Sequence, residues 1–170
     1  MSAIAEGAPQ PRSLLVLTIA TFFGSGLSPI WPGTAGTLAT IPLAYVLMGL
    51  GRFWLIVATL AIFAIGTWAA DRYCQITGKH DNQRIVIDEV VGYLICLWAV
   101  PRSAPNMIAA FVLFRLFDTW KPWPIRIVDR KVKGGFGVMA DDVCAGAVGA
   151  LILWLMQPHL PAWWVPAGGS

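Results

Sequence analysis

The sequence predicts an all-α fold, a polytopic integral membrane bundle with four to six membrane-embedded helices. Hydrophobic residues make up 57% of the 170-residue chain and charged residues only 12%, and the mean hydropathy is +0.67. Soluble domains average about 25% charged residues, and so short a chain cannot bury this much apolar surface in its own core. The 9 tryptophans suit anchoring at the level of lipid headgroups. This composition argues against a disordered chain and against a nucleic-acid-binding surface.

Six apolar segments follow one another along the chain, and each is predicted to be a helix. They are Ser13–Leu27, Thr37–Leu50, Phe53–Ala70, Val90–Val100, Met107–Phe117 and Val143–Met156. Only the third approaches the roughly 20 residues that a straight span needs. Two topologies therefore remain open: six spans, or four spans with an interfacial or re-entrant hairpin. Residues 1–12 are expected to form a polar tail, 13–158 the membrane domain and 159–170 a C-terminal tail.

Turn-forming residues mark the connections between these segments. Gly51-Arg52 and Pro101-Arg102 predict tight reversals, because glycine and proline interrupt regular helices. The loop from residue 24 to residue 37 is rich in small residues and leads into a helix, where Thr34 or Thr37 could serve as an N-cap. Alternatively, free backbone N–H groups at Gly33 and Thr34 could bind a phosphate.

Charged residues are predicted to collect at one end of the bundle. With six spans, every acidic residue except Glu6 and most of the basic residues fall on or near the face opposite the N-terminus. The positive-inside rule places this face in the cytoplasm. Carboxylates at the edge of a span are costly to desolvate, so their concentration in three loops is the main functional signal. If the first two segments form a hairpin, the three loops still converge.

Three acidic clusters are candidates for a metal site. Asp88 and Glu89 start the fourth segment, where helix capping would account for Asp88 more readily than for Glu89. Asp118 follows Arg115 by three residues, so the two share a helix face, and it lies near a helix C-terminus that disfavours an anion. A simple ion pair between them is the alternative to a binding role.

The third cluster is the pair Asp141 and Asp142, predicted to open the last helix. Gly134 and Gly135 precede it in a stretch expected to be a mobile loop. One acid suffices for an N-cap, whereas a second adds repulsion unless a cation or a base lies nearby. Oxygen ligands are abundant and histidine and cysteine scarce, a balance that favours a hard cation, above all Mg²⁺ beside a phosphate.

These residues resemble the phosphatidylglycerophosphatase A family of bacterial inner-membrane lipid phosphatases. The resemblance covers about Leu17 to Met156. Its most specific part is the string FRxxDxWKPWPIR, from Phe114 to Arg126, followed by GGxGxMxDD up to Asp142. One departure is Lys133, which stands where the family often has a histidine, and it weakens any role for a histidine there as general acid.

The resemblance implies a Mg²⁺-dependent phosphoric monoester hydrolase in the inner membrane, with its active site facing the cytoplasm. Its substrate would be the phospholipid phosphatidylglycerophosphate, hydrolysed to phosphatidylglycerol and inorganic phosphate. The expected metal ligands, of which the last four are also expected to be catalytic, are Asp88, Asp129, Glu89, Asp118, Asp141 and Asp142. The residues expected to bind the phosphate are Gly33, Thr34, Arg115, Lys121, Arg126 and Arg130.

Two other functions agree less well with the same residues. A small membrane transporter would distribute its acids along a path through the span, whereas here they gather at one face. A transferase acting on CDP-linked headgroups would resemble a DGxxAR pattern followed by spaced aspartates, and the chain has no such string. No oligomeric state follows from the sequence.

Overall fold

The computed structural model describes residues 11–78, 82–123, 134–161 and 164, and this part of the chain is helical without strands. Short 3₁₀ turns lie at Ser25–Leu27 and Gln157–His159. The six α-helices are α1 (Pro11–Ala20), α2 (Pro32–Leu50), α3 (Arg52–Thr77), α4 (Ile87–Cys96), α5 (Ala104–Trp120) and α6 (Gly134–Met156). Each overlaps one of the six apolar segments, so the predicted all-α fold is confirmed.

Three helices of the described chain are long and apolar enough to cross a membrane. They are α2, α3 and α6 with its extension to His159. This is fewer than the four to six predicted, because three apolar segments form helices that are too short. α1 and α4 have 10 residues each and so measure about 15 Å, about half the thickness of the hydrocarbon core. α5 has 17 residues.

α1 lies beside the end of the bundle where α3 ends and α4 begins. The backbone N–H of Val86, just before α4, donates to the carbonyl oxygen of Ala20 at 2.9 Å. Residues of the first two turns of α1 line a groove with the last turns of α3. With 10 residues, α1 is too short to be one of six spans.

α4 occupies the centre of the bundle, with α2, α3, α5 and α6 packed around it. All its residues from Val90 to Cys96 are buried. A Cβ on Gly92 would overlap the ring of Phe114 and lie 2.8 Å from the carbonyl oxygen of Asp142. A Cβ on Gly146 would in turn overlap the backbone of Gly92. These glycines let α6 approach α4 closely and hold Asp142 next to the start of α4.

The predicted reversals are present at the opposite end of the bundle. Gly51 has φ of +105°, a conformation that glycine adopts at low cost, and it separates α2 from α3. After Pro101, the side chain of Ser103 caps α5 by accepting a hydrogen bond from the N–H of Asn106 at 3.2 Å. The chain therefore returns twice to the end where α4 and α6 begin.

Candidate active site

One pocket of about 450 Å³ opens at the end of the bundle where α2, α4 and α6 begin and α5 ends. Its walls also include the short connection before α4. The charged residues that line it are Asp88, Glu89, Arg115, Asp118, Lys121, Asp141 and Asp142. The structure thus brings together the three acidic clusters that are far apart in the sequence.

Three carboxylates converge on one side of this pocket. Asp88, Glu89 and Asp142 each offer one oxygen, and the three oxygens lie within 4.8 Å of one another. Asp142 is 3% exposed, and the Glu89 side chain is 13% exposed. Oε2 of Glu89 is buried and makes no hydrogen bond to the described residues. Like charges this close repel unless a cation or protons intervene.

Burial changes the ionisation of the two acids at the start of α4. It raises the pKa of Glu89 to about 8, and the negative charges of Asp142 and Asp118 add to this effect, while Asp88 and Arg115 oppose it. Burial also raises the pKa of Asp88 well above its usual range, followed by the charge of Glu89. A divalent cation would relieve this repulsion. The all-oxygen donor set and the unpartnered Oε2 therefore fit Mg²⁺.

Two basic side chains face the carboxylates, and each is held by an acid. Nη1 of Arg115 donates to Oδ2 of Asp118 at 2.6 Å and lies 3.7 Å from Oε1 of Glu89. Nζ of Lys121 donates to Oδ2 of Asp141 at 2.5 Å. The ion pair of Arg115 with Asp118, which the sequence left open as the alternative to a binding role, is thus present. Both cations line the pocket itself, so the pairing does not remove them from a ligand's reach.

Lys121 reaches α6 because of how α5 ends. The helix stops at Trp120, and Lys121 adopts the left-handed region with φ of +42°. Its backbone N–H donates to the carbonyl oxygen of Phe117 at 2.9 Å, and Pro122 then prevents the helix from continuing. The predicted helix C-terminus close to Asp118 is confirmed.

The start of α2 packs directly against the acidic cluster. A Cβ on Gly33 would overlap Oε1 of Glu89 and lie 3.0 Å from Nη1 of Arg115, so a larger residue here would displace the ends of these side chains. No side chain caps α2, and the hydroxyl of Thr37 donates instead to the carbonyl oxygen of Gly33 at 2.9 Å. The threonine-cap interpretation is therefore wrong. Thr34, unlike Gly33, does not line the pocket.

The last helix begins earlier than predicted. α6 starts at Gly134, so Asp141 and Asp142 lie about two turns inside it and cannot be N-caps. Gly134 has φ of +78°, and the N–H of Gly135 donates to Oδ1 of Asp71 at 3.3 Å. A Cβ on Gly135 would overlap backbone of α3. The two glycines thus pack the helix start onto α3 and do not form the expected loop.

Three predicted site residues, Arg126, Asp129 and Arg130, lie outside the described residues. Two polar pocket residues were missed by sequence reasoning, namely Asn82 and Gln83 in the connection before α4. Amide side chains carry no charge pattern, and their only sequence signal is a position a few residues before Asp88.

Comparison with known proteins assigns the chain to a family. The sequence model described as phosphatidylglycerophosphatase A matches residues 18–157. The chain belongs to the phosphatidylglycerophosphatase A family. The membership expected from the strings at Phe114–Arg126 and Gly134–Asp142 is therefore confirmed.

The similarity to individual relatives extends over most of the chain. A phosphatidylglycerophosphatase A of Escherichia coli (strain K12) is 46% identical over 145 residues, 84% of each chain. The protein of that name from Haemophilus influenzae is 40% identical over 141 residues, 82% of this chain and 86% of the relative. A putative phosphatidylinositol-3-phosphatase of Bacteroides thetaiotaomicron is 42% identical over 149 residues, 83% of this chain and 92% of the relative. No solved structure matches the chain significantly.

Proposed function

We propose that the chain is a Mg²⁺-dependent lipid phosphatase that hydrolyses phosphatidylglycerophosphate to phosphatidylglycerol and inorganic phosphate. Membership of the phosphatidylglycerophosphatase A family makes it a phosphoric monoester hydrolase. The observation that carries the proposal is the convergence of Asp88, Glu89 and Asp142 in the pocket that also holds Arg115 and Lys121. Such a pocket can hold a divalent cation and a phosphate dianion side by side.

The basic residues and the start of α2 bind the phosphate in this proposal. Arg115 presents a planar guanidinium that suits bidentate contact with phosphate, and Lys121 adds a point charge. Asp118 and Asp141 orient these two cations through the ion pairs described above. Gly33, in the first turn of α2, brings backbone N–H groups and the positive end of the helix to the pocket.

Hydrolysis requires charge stabilisation and a proton acceptor. Mg²⁺ held by Asp88, Glu89 and Asp142 would supply positive charge and Lewis acidity at the phosphate. Arg115 stabilises the charge that develops on the transferring phosphoryl group, and its pairing with Asp118 places it there before the reaction. Oε2 of Glu89 makes no hydrogen bond to the described residues, so it is open either to the cation or to a proton of the attacking water.

The site is proposed to face the cytoplasm at the bacterial inner membrane. Most basic residues of the chain are expected at the end that carries the pocket, as the positive-inside rule requires. Trp31, Trp120 and Trp123 are exposed at this end, and exposed tryptophans favour the headgroup level of a bilayer. The lipid tails would then remain in the membrane while the phosphorylated headgroup enters the pocket.

Phosphate release from phosphatidylglycerophosphate in detergent micelles tests this proposal. Wild type is assayed with Mg²⁺ and with EDTA, beside Asp142→Asn and Glu89→Gln. The matched control is Asp71→Asn, which changes an acid at the same end that does not line the pocket. Release that needs Mg²⁺, is lost in the first two variants and persists in the control is expected. Release by folded wild type in EDTA, or full activity of Asp142→Asn, contradicts the metal site.

The name of the Bacteroides relative motivates one alternative substrate, phosphatidylinositol 3-phosphate. The same assay compares kcat/KM for the two lipids in mixed micelles of equal composition. We expect phosphatidylglycerophosphate to be preferred. A preference for the inositol lipid with unchanged Mg²⁺ dependence would replace the substrate and keep the reaction class.

A further inference from the structure

A second charged pocket lies at the opposite end of the bundle. It is formed by the α2–α3 and α4–α5 connections and contains Arg52, Arg102 and Trp98 among apolar residues. Its volume is about 150 Å³, enough to admit a phosphate group.

The guanidinium of Arg102 packs against an aromatic ring and α2, and it donates no hydrogen bond to the described residues. Its Cζ lies 3.7 Å from the ring centroid of Tyr45, a cation–π contact. Its Nη1 also lies so close to α2 that a Cβ on Gly49 would approach it to 2.9 Å. The stacking fixes the plane of the guanidinium, whose five N–H donors all lie in that plane.

No carboxylate of the described residues forms an ion pair with Arg102 or Arg52. Arg115 and Lys121 at the catalytic end are both paired. Partial burial of a cation without an anionic partner costs free energy. An anion from outside the described chain would therefore stabilise Arg102, which is half-buried. The described acids all belong to the other end: Asp71, Asp88, Glu89, Asp118, Asp141 and Asp142.

Exposed aromatic side chains around this pocket indicate the source of the anion. Phe53, Trp54 and Trp154 are exposed at the same end of the spanning helices, and exposed aromatic side chains at a span's end favour the headgroup level. The phosphates at that level belong to phospholipids. Two arginines favour a headgroup whose net charge is negative over one that also carries a cation.

We propose that this pocket binds the headgroup phosphate of an anionic phospholipid in the leaflet opposite the catalytic pocket. Arg102 contacts the phosphate through two of its N–H groups, and Arg52, exposed at the first position of α3, adds a second positive charge. The site uses none of the catalytic residues, so it is independent of the proposed phosphatase activity.

Native mass spectrometry in a non-ionic detergent tests this site. Wild type, Arg102→Gln and the control Arg72→Gln, an exposed arginine at the catalytic end, are titrated with phosphatidylglycerol or phosphatidylcholine. Loss of one charge-assisted contact is expected to weaken one phosphatidylglycerol-binding event about tenfold in Arg102→Gln alone. Phosphatidylcholine is expected to bind more weakly and equally to all three proteins. Phosphatase activity of Arg102→Gln is expected to equal that of wild type.

Two further arms keep the test decisive. If Arg102→Gln does not fold, Arg52→Gln replaces it, because Arg52 is exposed. This variant is expected to weaken phosphatidylglycerol binding to a smaller degree. Equal phosphatidylglycerol affinity in wild type and these variants overturns the proposal. Sodium phosphate is added as a competitor: no displacement supports a lipid ligand, whereas displacement that depends on Arg102 shows a site for free phosphate and overturns the lipid assignment.

Discussion

The two ends of the bundle differ in whether their buried polar side chains have hydrogen-bond partners. At the end that carries the candidate active site, three carboxylates converge, and Oε2 of Glu89 has no hydrogen-bond partner among the described residues. At the opposite end, the side chain of Asn106 is fully buried and satisfied on both sides. Its Nδ2 donates to Pro101 at 2.9 Å, and its Oδ1 accepts from Gln157 at 3.0 Å and from Trp164 at 2.7 Å.

This difference separates a functional cluster from a structural one. An unsatisfied buried polar atom costs about 1–3 kcal/mol, so it persists in a native protein where a ligand or a reaction makes use of it. The Asn106 network joins the start of α5 to the chain after α6, and both polar atoms of the Asn106 side chain have partners. The comparison predicts that changes at the first end affect activity and that changes at the second affect stability.

The largest effect on activity is expected from Gly33→Ala. The new methyl group would overlap Oε1 of Glu89 and crowd Arg115, displacing a proposed metal ligand and a proposed phosphate-binding residue together. Hydrolysis is expected to fall by more than about a hundredfold, since even indirect support of a metal ligand is worth 10–100-fold. Thr34→Ala, one residue further and outside the pocket, serves as the control in the same assay. A folded Gly33→Ala protein with wild-type kcat/KM would contradict the assigned site.

A loss of intermediate size is expected from Arg115→Lys. Lysine keeps the charge but cannot contact Asp118 and a phosphate with a planar fork. Losing one charge-assisted hydrogen bond lowers kcat/KM by about 10–100-fold. The matched change at the other end, Arg102→Lys, is expected to leave kcat/KM unchanged. Equal losses in both variants would show that the two ends do not differ in function.

A smaller and graded effect is expected from pH. The pKa of Glu89 rises from 4.5 to about 8 on folding without a cation, so between these values the folded state binds more protons than the unfolded state. Without Mg²⁺, stability therefore falls as the pH rises through this window. Mg²⁺ must displace the proton of Glu89, so its affinity is expected to rise with pH up to about 8.

Calorimetric titration with Mg²⁺ and thermal unfolding in EDTA, each across this pH range, measure the two trends. Glu89→Gln is expected to weaken both trends, because it removes one titrating carboxyl group of the cluster with little change in size. A Mg²⁺ affinity independent of pH in wild type would show that Glu89 is not a ligand.

The smallest effect on activity is expected from Asn106→Leu. It leaves the hydrogen-bonding groups of Pro101, Gln157 and Trp164 without their Asn106 partner, which costs about 1–3 kcal/mol of the free energy of unfolding. Hydrolysis below the unfolding midpoint is expected to remain that of wild type. Gln157→Leu, which removes one hydrogen bond of the network, is expected to destabilise less. Denaturant unfolding in detergent followed by tryptophan fluorescence measures both, and a selective loss of kcat would contradict the structural assignment.

Local sequence signals predicted the helices and much of the catalytic end. Apolar runs marked all six helices, and Gly51 marked a reversal, because burial of apolar side chains and backbone freedom act over a few residues. The spacing of Arg115 and Asp118 predicted their ion pair for the same reason. The family-specific strings contain five of the seven charged residues that line the pocket, whereas Asp88 and Glu89 lie outside them.

Contacts between residues distant in the sequence decided where α6 begins and which charged side chains meet. α6 begins at Gly134 because its start packs on Asp71 and Thr67, which are more than sixty residues away in the chain. Asp142 reaches Asp88 and Glu89 because Gly92 and Gly146 allow two backbones to touch. Lys121 pairs with Asp141 only once α5 and α6 are side by side.

The sequence by itself determined which segments are helical and which residues are charged. Helix formation depends on local free energies, and charge depends on residue type alone. The tertiary structure alone decided which charges meet, because that depends on backbone distances between helices.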